Sequence, residues 1–258
     1  MITRDELFQN PDHFIELIGR IRTAYTTAQG WIKDGKIKSD RIVFLKQGFF
    51  YDHLDTMNAL YSAGYPIIDM VPEYTQALEL MPEVWANGTK KFRMDTKEGL
   101  QIYDTYYMDA NDSILAMLGL GYLLNITTTD FQCIVDIIDR DKIQNLVYET
   151  IIKAKIPSRK VFEKESYNIP NPIYASLRKA IFESDKEVAQ KVIKHYLEKE
   201  WYQLHKDAGW YNSHKGDGKG YSGYWSFETA AIVKIKGLDD SIFRDNEYYP
   251  KDLVHQQR

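Results

Sequence analysis

Apolar residues recur at the helical period in every long segment of this chain, and no alternating run of β-branched residues interrupts them. That pattern limits the fold more than any other feature, because an amphipathic helix buries its stripe only against a second layer. It predicts an all-α protein of antiparallel helical hairpins packed into one globular unit. At 258 residues the chain is long enough for one large core or two closely joined halves.

Asn10-Pro11-Asp12 opens a first helix: a capping amide, a proline for the first turn and an acid at the positive end. Phe14, Leu17, Ile18, Ile21, Tyr25, Ala28 and Ile32 trace its stripe, and Gly35 breaks it. A second helix starts at Ser39 or Asp40 and runs to Gly64-Tyr65-Pro66, so the short turn predicts a helical hairpin. Pro72 opens a third, which Pro82 kinks or divides. Asn87-Gly88 and the basic residues Lys90, Lys91, Arg93 and Lys97 read as a loop. Leu100 to Leu124 has no proline and reads as one long helical face, followed by a helix capped at Thr128 or Thr129 and a short one from Ile143 to Ile152.

Ile156 to Pro172 is polar and holds three prolines, which predicts a division into halves at 1–155 and 156–258. Ser184-Asp-Lys-Glu187 has the form of a capping box for a helix carrying Val188, Val192, Tyr196, Leu197, Trp201 and Leu204. A glycine-rich loop from Gly209 to Gly223 leads to the last long helix, with Tyr224, Phe227, Ala231 and Ile235 on one side and Gly237 as its left-handed cap.

Few residues carry the pattern of a reactive site. His53 shares a helix face with Phe49, Met57 and Leu60 and reads as a core histidine. Asp109-Ala-Asn-Asp112 lacks the glutamate of a calcium loop and reads as a mid-helix polar patch. His195, His205 and His214 have neither paired-histidine metal spacing nor a neighbouring acid, and Cys133 reads as a buried, inert thiol. No metal or cofactor is expected. A single cysteine, an N-terminus with acids where a secretory signal is apolar, and no long apolar run suit a soluble cytoplasmic protein.

Glu228 is the exception, a carboxylate on the apolar face of the last long helix. It reads as a structural acceptor tying the preceding loop to the helix, in preference to a catalytic acid with a raised pKa. The surrounding run Gly223-Tyr-Trp-Ser-Phe-Glu228, with Tyr221, Leu238-Asp239-Asp240, Tyr248-Tyr249-Pro250 and the pairs Trp201-Tyr202 and Trp210-Tyr211, resembles the C-terminal signature of the PoNi family. Those are immunity proteins that neutralise PoNe-type DNase toxins of bacterial type VI secretion. The resemblance implies a non-enzymatic inhibitor whose partner is a cognate DNase, with residues 1–155 and 156–258 as its N- and C-terminal halves.

Charge adds a second line. Residues 47 to 139 hold 14 acids against four bases, a net −10, in a chain of net −4. Solvated helix faces account for such a count; so does an acidic surface built for a basic partner. On the second reading Glu73, Glu79, Glu83, Asp104, Asp109 and Asp112 are the contact candidates. Direct nucleic-acid binding and a membrane partner are not expected. Two other classes stay open: a helical enzyme pairing Glu228 with a histidine, and a general helical scaffold.

Overall fold

In the computed structural model, which describes residues 2–85, 89–96, 99–160 and 172–256, the contacts divide the chain into two compact units. One is Met1–Ala86 with Asn212–Tyr224; the other is Asn87–Tyr211 with Trp225–Arg258. The halves expected at 1–155 and 156–258 do not coincide with these units, and most of the proline-bearing stretch expected to divide them lies outside the described residues. Among the described residues no helix is long and apolar enough to cross a membrane.

The first unit is built on α1 (Pro11–Lys33), α2 (Ser39–Ala63) and α3 (Met70–Val84). The Asn10 side chain accepts from the Asp12 amide, and α2 ends on Gly64 at φ +85°, a left-handed position where glycine carries no Cβ penalty. Phe14 and Leu17 of α1, Phe50, Met57 and Leu60 of α2, and Tyr74 and Met81 of α3 make the core. Pro82 sits in the last turn of α3, so it helps end the helix and does not divide it. Glu73 receives Arg22 (2.9 Å) and the His53 ring (2.7 Å); burial alone would raise its pKa, but these donors hold it below the usual range.

Residues 212–224 belong to this unit because they are sewn to it by hydrogen bonds. Tyr221 donates its hydroxyl to Asp5 (2.6 Å) and offers its carbonyl to His13 (2.7 Å). Ser62 donates to the Ser222 carbonyl (2.9 Å), and Ser222 donates its own hydroxyl to Asp55 (2.8 Å).

The second unit begins with a β-hairpin, β1 (Thr89–Thr96) and β2 (Gly99–Tyr106), in antiparallel register from Thr89↔Tyr106 to Thr96↔Gly99. This corrects both the loop expected around Lys90 and the helix expected from Leu100. Strand-forming Thr and aromatic residues are spread along both segments, Gly99 turns at φ +110°, and Lys91 pairs with Asp104 directly opposite. The helical pattern holds only from α4 (Met108–Leu123) onward, and Asp109 to Asp112 therefore lie at its N-terminal end, with Asp109 in the first turn, not mid-helix.

Then come α5 (Thr128–Arg140), α6 (Leu146–Lys155), α7 (Ala175–Phe182), α8 (Lys186–His195), α9 (Trp201–Leu204), α10 (Phe227–Lys236) and α11 (Lys251–His255). Two caps fall one residue away from their expected places. Thr127 caps α5, and Asp185 caps α8 by accepting from the amides of Glu187 and Val188. Cys133 is exposed on α5, against the expectation of a buried thiol; Phe131 and Ile134 occupy the inward face that it misses.

The close approach of α4 and α10 depends on one glycine. A Cβ on Gly119 would lie 2.8 Å from the Phe227 carbonyl oxygen, which is backbone and cannot swing away. Gly119→Ala should therefore destabilise the protein by about 1–3 kcal/mol in urea unfolding, despite the higher helix propensity of alanine. A second prediction concerns Asp55, whose carboxyl is pushed up to about 6, first by burial and then by the charge of Asp52, against the Ser222 hydrogen bond. With its folded pKa raised, the folded state keeps a proton that the unfolded chain releases, so this group's contribution falls as pH rises from about 4 to 6 and stays lost above. Asp55→Asn should stabilise by up to about 3 kcal/mol at pH 7.5 and by little at pH 4, read from denaturation midpoints.

Candidate functional site

Between α8 and α9 the helical ladder widens into a π turn over Tyr196–Glu200. The extra residue shifts the phase of the helix, so Tyr196, Leu197 and Trp201 all turn inward. Trp201 donates its indole N–H to Glu228 Oε1 at 2.8 Å, and the hydroxyl of Ser226, the residue before α10, donates to the same oxygen at 2.5 Å. Glu228 stands in the first turn of α10, where the positive helix end favours an anion, and is 5% exposed. Burial nevertheless raises its pKa, over the opposing effects of Ser226, its own backbone N–H, the charge of His205 and Trp201.

A second acid joins it from α4. Asp112 Oδ1 accepts from the Tyr174 hydroxyl at 2.5 Å, while Oδ2 lies 3.6 Å from His205 Nε2. His205 Nδ1 is 2.5 Å from the Trp201 carbonyl and donates to it, which leaves Nε2 directed toward Asp112. Burial favours neutral imidazole, but the hydrogen bond and charge of Asp112, the Trp201 carbonyl and the charge of Glu228 together raise the His205 pKa. Burial, and then the charges of these same two acids, push the hydroxyls of Tyr174 and Tyr196 well above the usual tyrosine range. His205 is thus partnered by an acid, contrary to the sequence expectation; so is His195, by Glu200 at 3.2 Å.

The remaining signature residues pack around this network or close the chain. Trp201 stacks on Trp210 and Tyr202 on Tyr248, while Tyr211 lies tilted against Tyr202 with ring centroids 4.6 Å apart. Trp225, Phe227 and Tyr249 are buried. Asp240, 2% exposed, accepts from Arg244 (2.6 and 2.7 Å), His255 (2.7 Å) and Tyr249 (3.2 Å), while exposed Asp239 accepts from the Ser241 amide. Pro250 precedes α11. Tyr221, Gly223 and Tyr224 belong to the first unit, and Tyr224 lies outside α10, because Ser226 takes the capping position. With Glu228 at 5% and His205 at 1% exposure, carboxylate and imidazole are enclosed; what they do in this arrangement is hold α4, α9 and α10 in place.

The acidic candidates separate into two kinds. Glu73 is buried under Arg22 and His53, and Asp112 belongs to the enclosed network, so neither offers a free carboxylate to a partner. Glu83 pairs with Lys46 (2.6 Å) and Asp104 with Lys91 at the surface, while Glu79 and Asp109 are exposed. Glu73, Glu79 and Glu83 lie in the first unit, and the other three in the second. The Arg159 clamp on Asp139 and Glu149 is a feature that no local pattern announces.

Residues 143–253 match the family model described as PoNe immunity proteins (PoNi), C-terminal. The matched span contains the whole signature from Trp201 to Pro250. The chain is also similar to the crystal structure of protein PA2201 from Pseudomonas aeruginosa, with a TM-score of 0.60 and 14% identity over 98% of this chain and 89% of that one. At that identity the likeness shows a shared fold. No curated protein matches the chain.

Removing the Glu228 acceptor strands the Trp201 indole and leaves the Ser226 hydroxyl only Thr229 Oγ1, at 2.7 Å. Glu228→Ala should cost about 2–4 kcal/mol in chemical unfolding, whereas Glu228→Gln, which still accepts from both, should cost less than half as much.

Proposed function

We propose, from the match of residues 143–253 to the C-terminal region of PoNe immunity proteins, that this chain is a bacterial immunity protein that binds and neutralises a cognate DNase toxin. Its partner is then a protein, and the chain works by binding, without catalysis, cofactor or direct nucleic-acid contact. The match carries the reading. The enclosure of Glu228 and His205 supports it, because the pair that an acid–base enzyme would use here braces three helices. The cytoplasm, where an incoming nuclease would reach DNA, is the proposed site of action, within a type VI or related toxin system.

A nuclease presents Lys and Arg to phosphate, and an acid-rich inhibitor suits such a groove. Of the six acidic candidates, exposed Glu79 and Asp109 and the surface-paired Glu83 and Asp104 are the ones proposed to contribute to occlusion; buried Glu73 and half-buried Asp112 are held by their own neighbours.

Co-expression with the product of the adjacent reading frame provides the test. The chain should rescue growth and co-purify with that product. Reversing Glu79 and Asp109 to lysine should slow association about tenfold at low salt, with most of the difference gone at 0.5 M salt. An unchanged association rate would remove the acidic surface from the mechanism; failure to rescue would remove the function.

A further inference from the structure

The α1–α2 hairpin ends in a tip that the rest of its unit leaves uncovered. From Gln29 to Gly48, twenty consecutive residues spanning both helices and their turn, no side chain is buried. The contrast within α2 is sharp: ten of its last fifteen residues are buried and none of its first ten. The cause is the length of α3, which runs alongside α2 only to the level of the Lys46–Glu83 ion pair, with Trp85 turning in against Phe50. Past that pair, α2 extends about 10 Å further toward its N-terminus.

An uncovered helical tip in a monomer is ordinarily polar, yet this one holds seven large apolar residues. Trp31 is 47% exposed, Val43 43% and Phe44 66%. Exposed large apolar side chains concentrated in one end of a hairpin in this way mark an interaction site. Around it stand Lys33, Lys36, Lys38, Arg41 and Lys46 against Asp34 and Asp40, a net +3 in a chain of net −4.

We infer that this tip is the apolar anchor of the toxin complex, docking into a patch of the toxin that is apolar at its centre and fringed by carboxylates. The inference rests on the immunity reading and adds the contact surface to it. Charge selects the partner. An anionic membrane surface is bound by clusters of four to eight basic residues, whereas Lys36 and Lys46 are engaged by Asp34 and Glu83, leaving Lys33, Lys38 and Arg41 to face outward. Three outward cations on a tip that also exposes a tryptophan and a phenylalanine match a protein interface, where aromatic anchors are enriched at the centre and a charged rim sets orientation.

The test uses the full-length chain and the product of the adjacent reading frame, with binding followed by biolayer interferometry. Trp31→Ala with Phe44→Ala should weaken binding about 100-fold, mainly through faster dissociation, and leave the thermal melt unchanged because neither side chain is buried. Lys38→Glu with Arg41→Glu, both exposed, should weaken it about tenfold. Undiminished toxin affinity in the first variant overturns the inference while leaving the immunity function standing. So does a loss confined to phosphatidylserine vesicles or to self-association, and so does tighter binding of the second variant. Absence of binding by the unaltered chain overturns the function and the inference together.

Discussion

A carboxylate taken out of water must be met by donors or it neutralises. Much of the second unit follows from how Glu228 meets that demand. Its two donors come from different places: the Trp201 indole from the far side of a π turn, and the Ser226 hydroxyl from the residue that begins α10. Satisfying both fixes the phase of α9 and the start of α10 at once. The same geometry puts the Trp201 carbonyl on His205, which sets the imidazole tautomer and directs Nε2 at Asp112 on α4. Glycine at 119 then allows the Phe227 backbone close enough for α4 to complete the arrangement.

Local chemistry was legible where it acts over a few residues. Asn10-Pro11, Gly64 and Gly237 mark helix ends in the sequence because capping involves the nearest amides and φ angles alone. Glu228 stood out for a related reason: a charge on an apolar stripe is a local contradiction. What stayed hidden depends on residues far apart in the chain. Neither Asp112 nor His205 has a near neighbour that announces the other, and they meet only once α4 and α9 are packed. The β-hairpin is hidden in the sequence because Tyr103 and Tyr107 fall at helical spacing ahead of Ile114 and Leu118, and the deciding signals are a left-handed Gly99 and the cross-strand Lys91–Asp104 pair. Residues 212–224 looked like a linker to α10, yet Tyr221 and Ser222 are tied to Asp5, His13, Asp55 and Ser62, contacts that no spacing encodes.

The signature residues therefore do two separate jobs. Trp201, Ser226, Glu228 and Asp240 with its ring of donors fix the second unit. Tyr221, Gly223 and Tyr224 fix the first, by lending it a segment from late in the sequence. A substitution in the first group leaves a buried donor or acid unmet, whereas one in the second loosens residues 221–224 from the first unit. The named residues of both groups are buried.

If the recognising surface is not the signature, it lies where the chain departs from what stability asks. Stability asks for apolar residues inside, and Trp31, Val43 and Phe44 are outside; it asks for no segregation of charge, and 47 to 139 is segregated. The two departures have opposite signs and complementary physics. Long-range fields govern how often partners meet in a productive orientation and fade with salt, so on the proposed immunity reading acids such as Glu79 and Asp109 would act on encounter. Desolvated aromatic anchors govern how long partners stay, are nearly insensitive to salt, and match the Trp31–Phe44 tip. An inhibitor that must outcompete DNA for a nuclease needs both: capture before the substrate arrives, and residence longer than the encounters that follow. On the proposed reading the division also gives a reason for the positive charge of the tip in an acidic chain. A negative tip would be drawn to the same basic groove as the acids, whereas a positive one would be refused there and directed to a different patch of the same toxin.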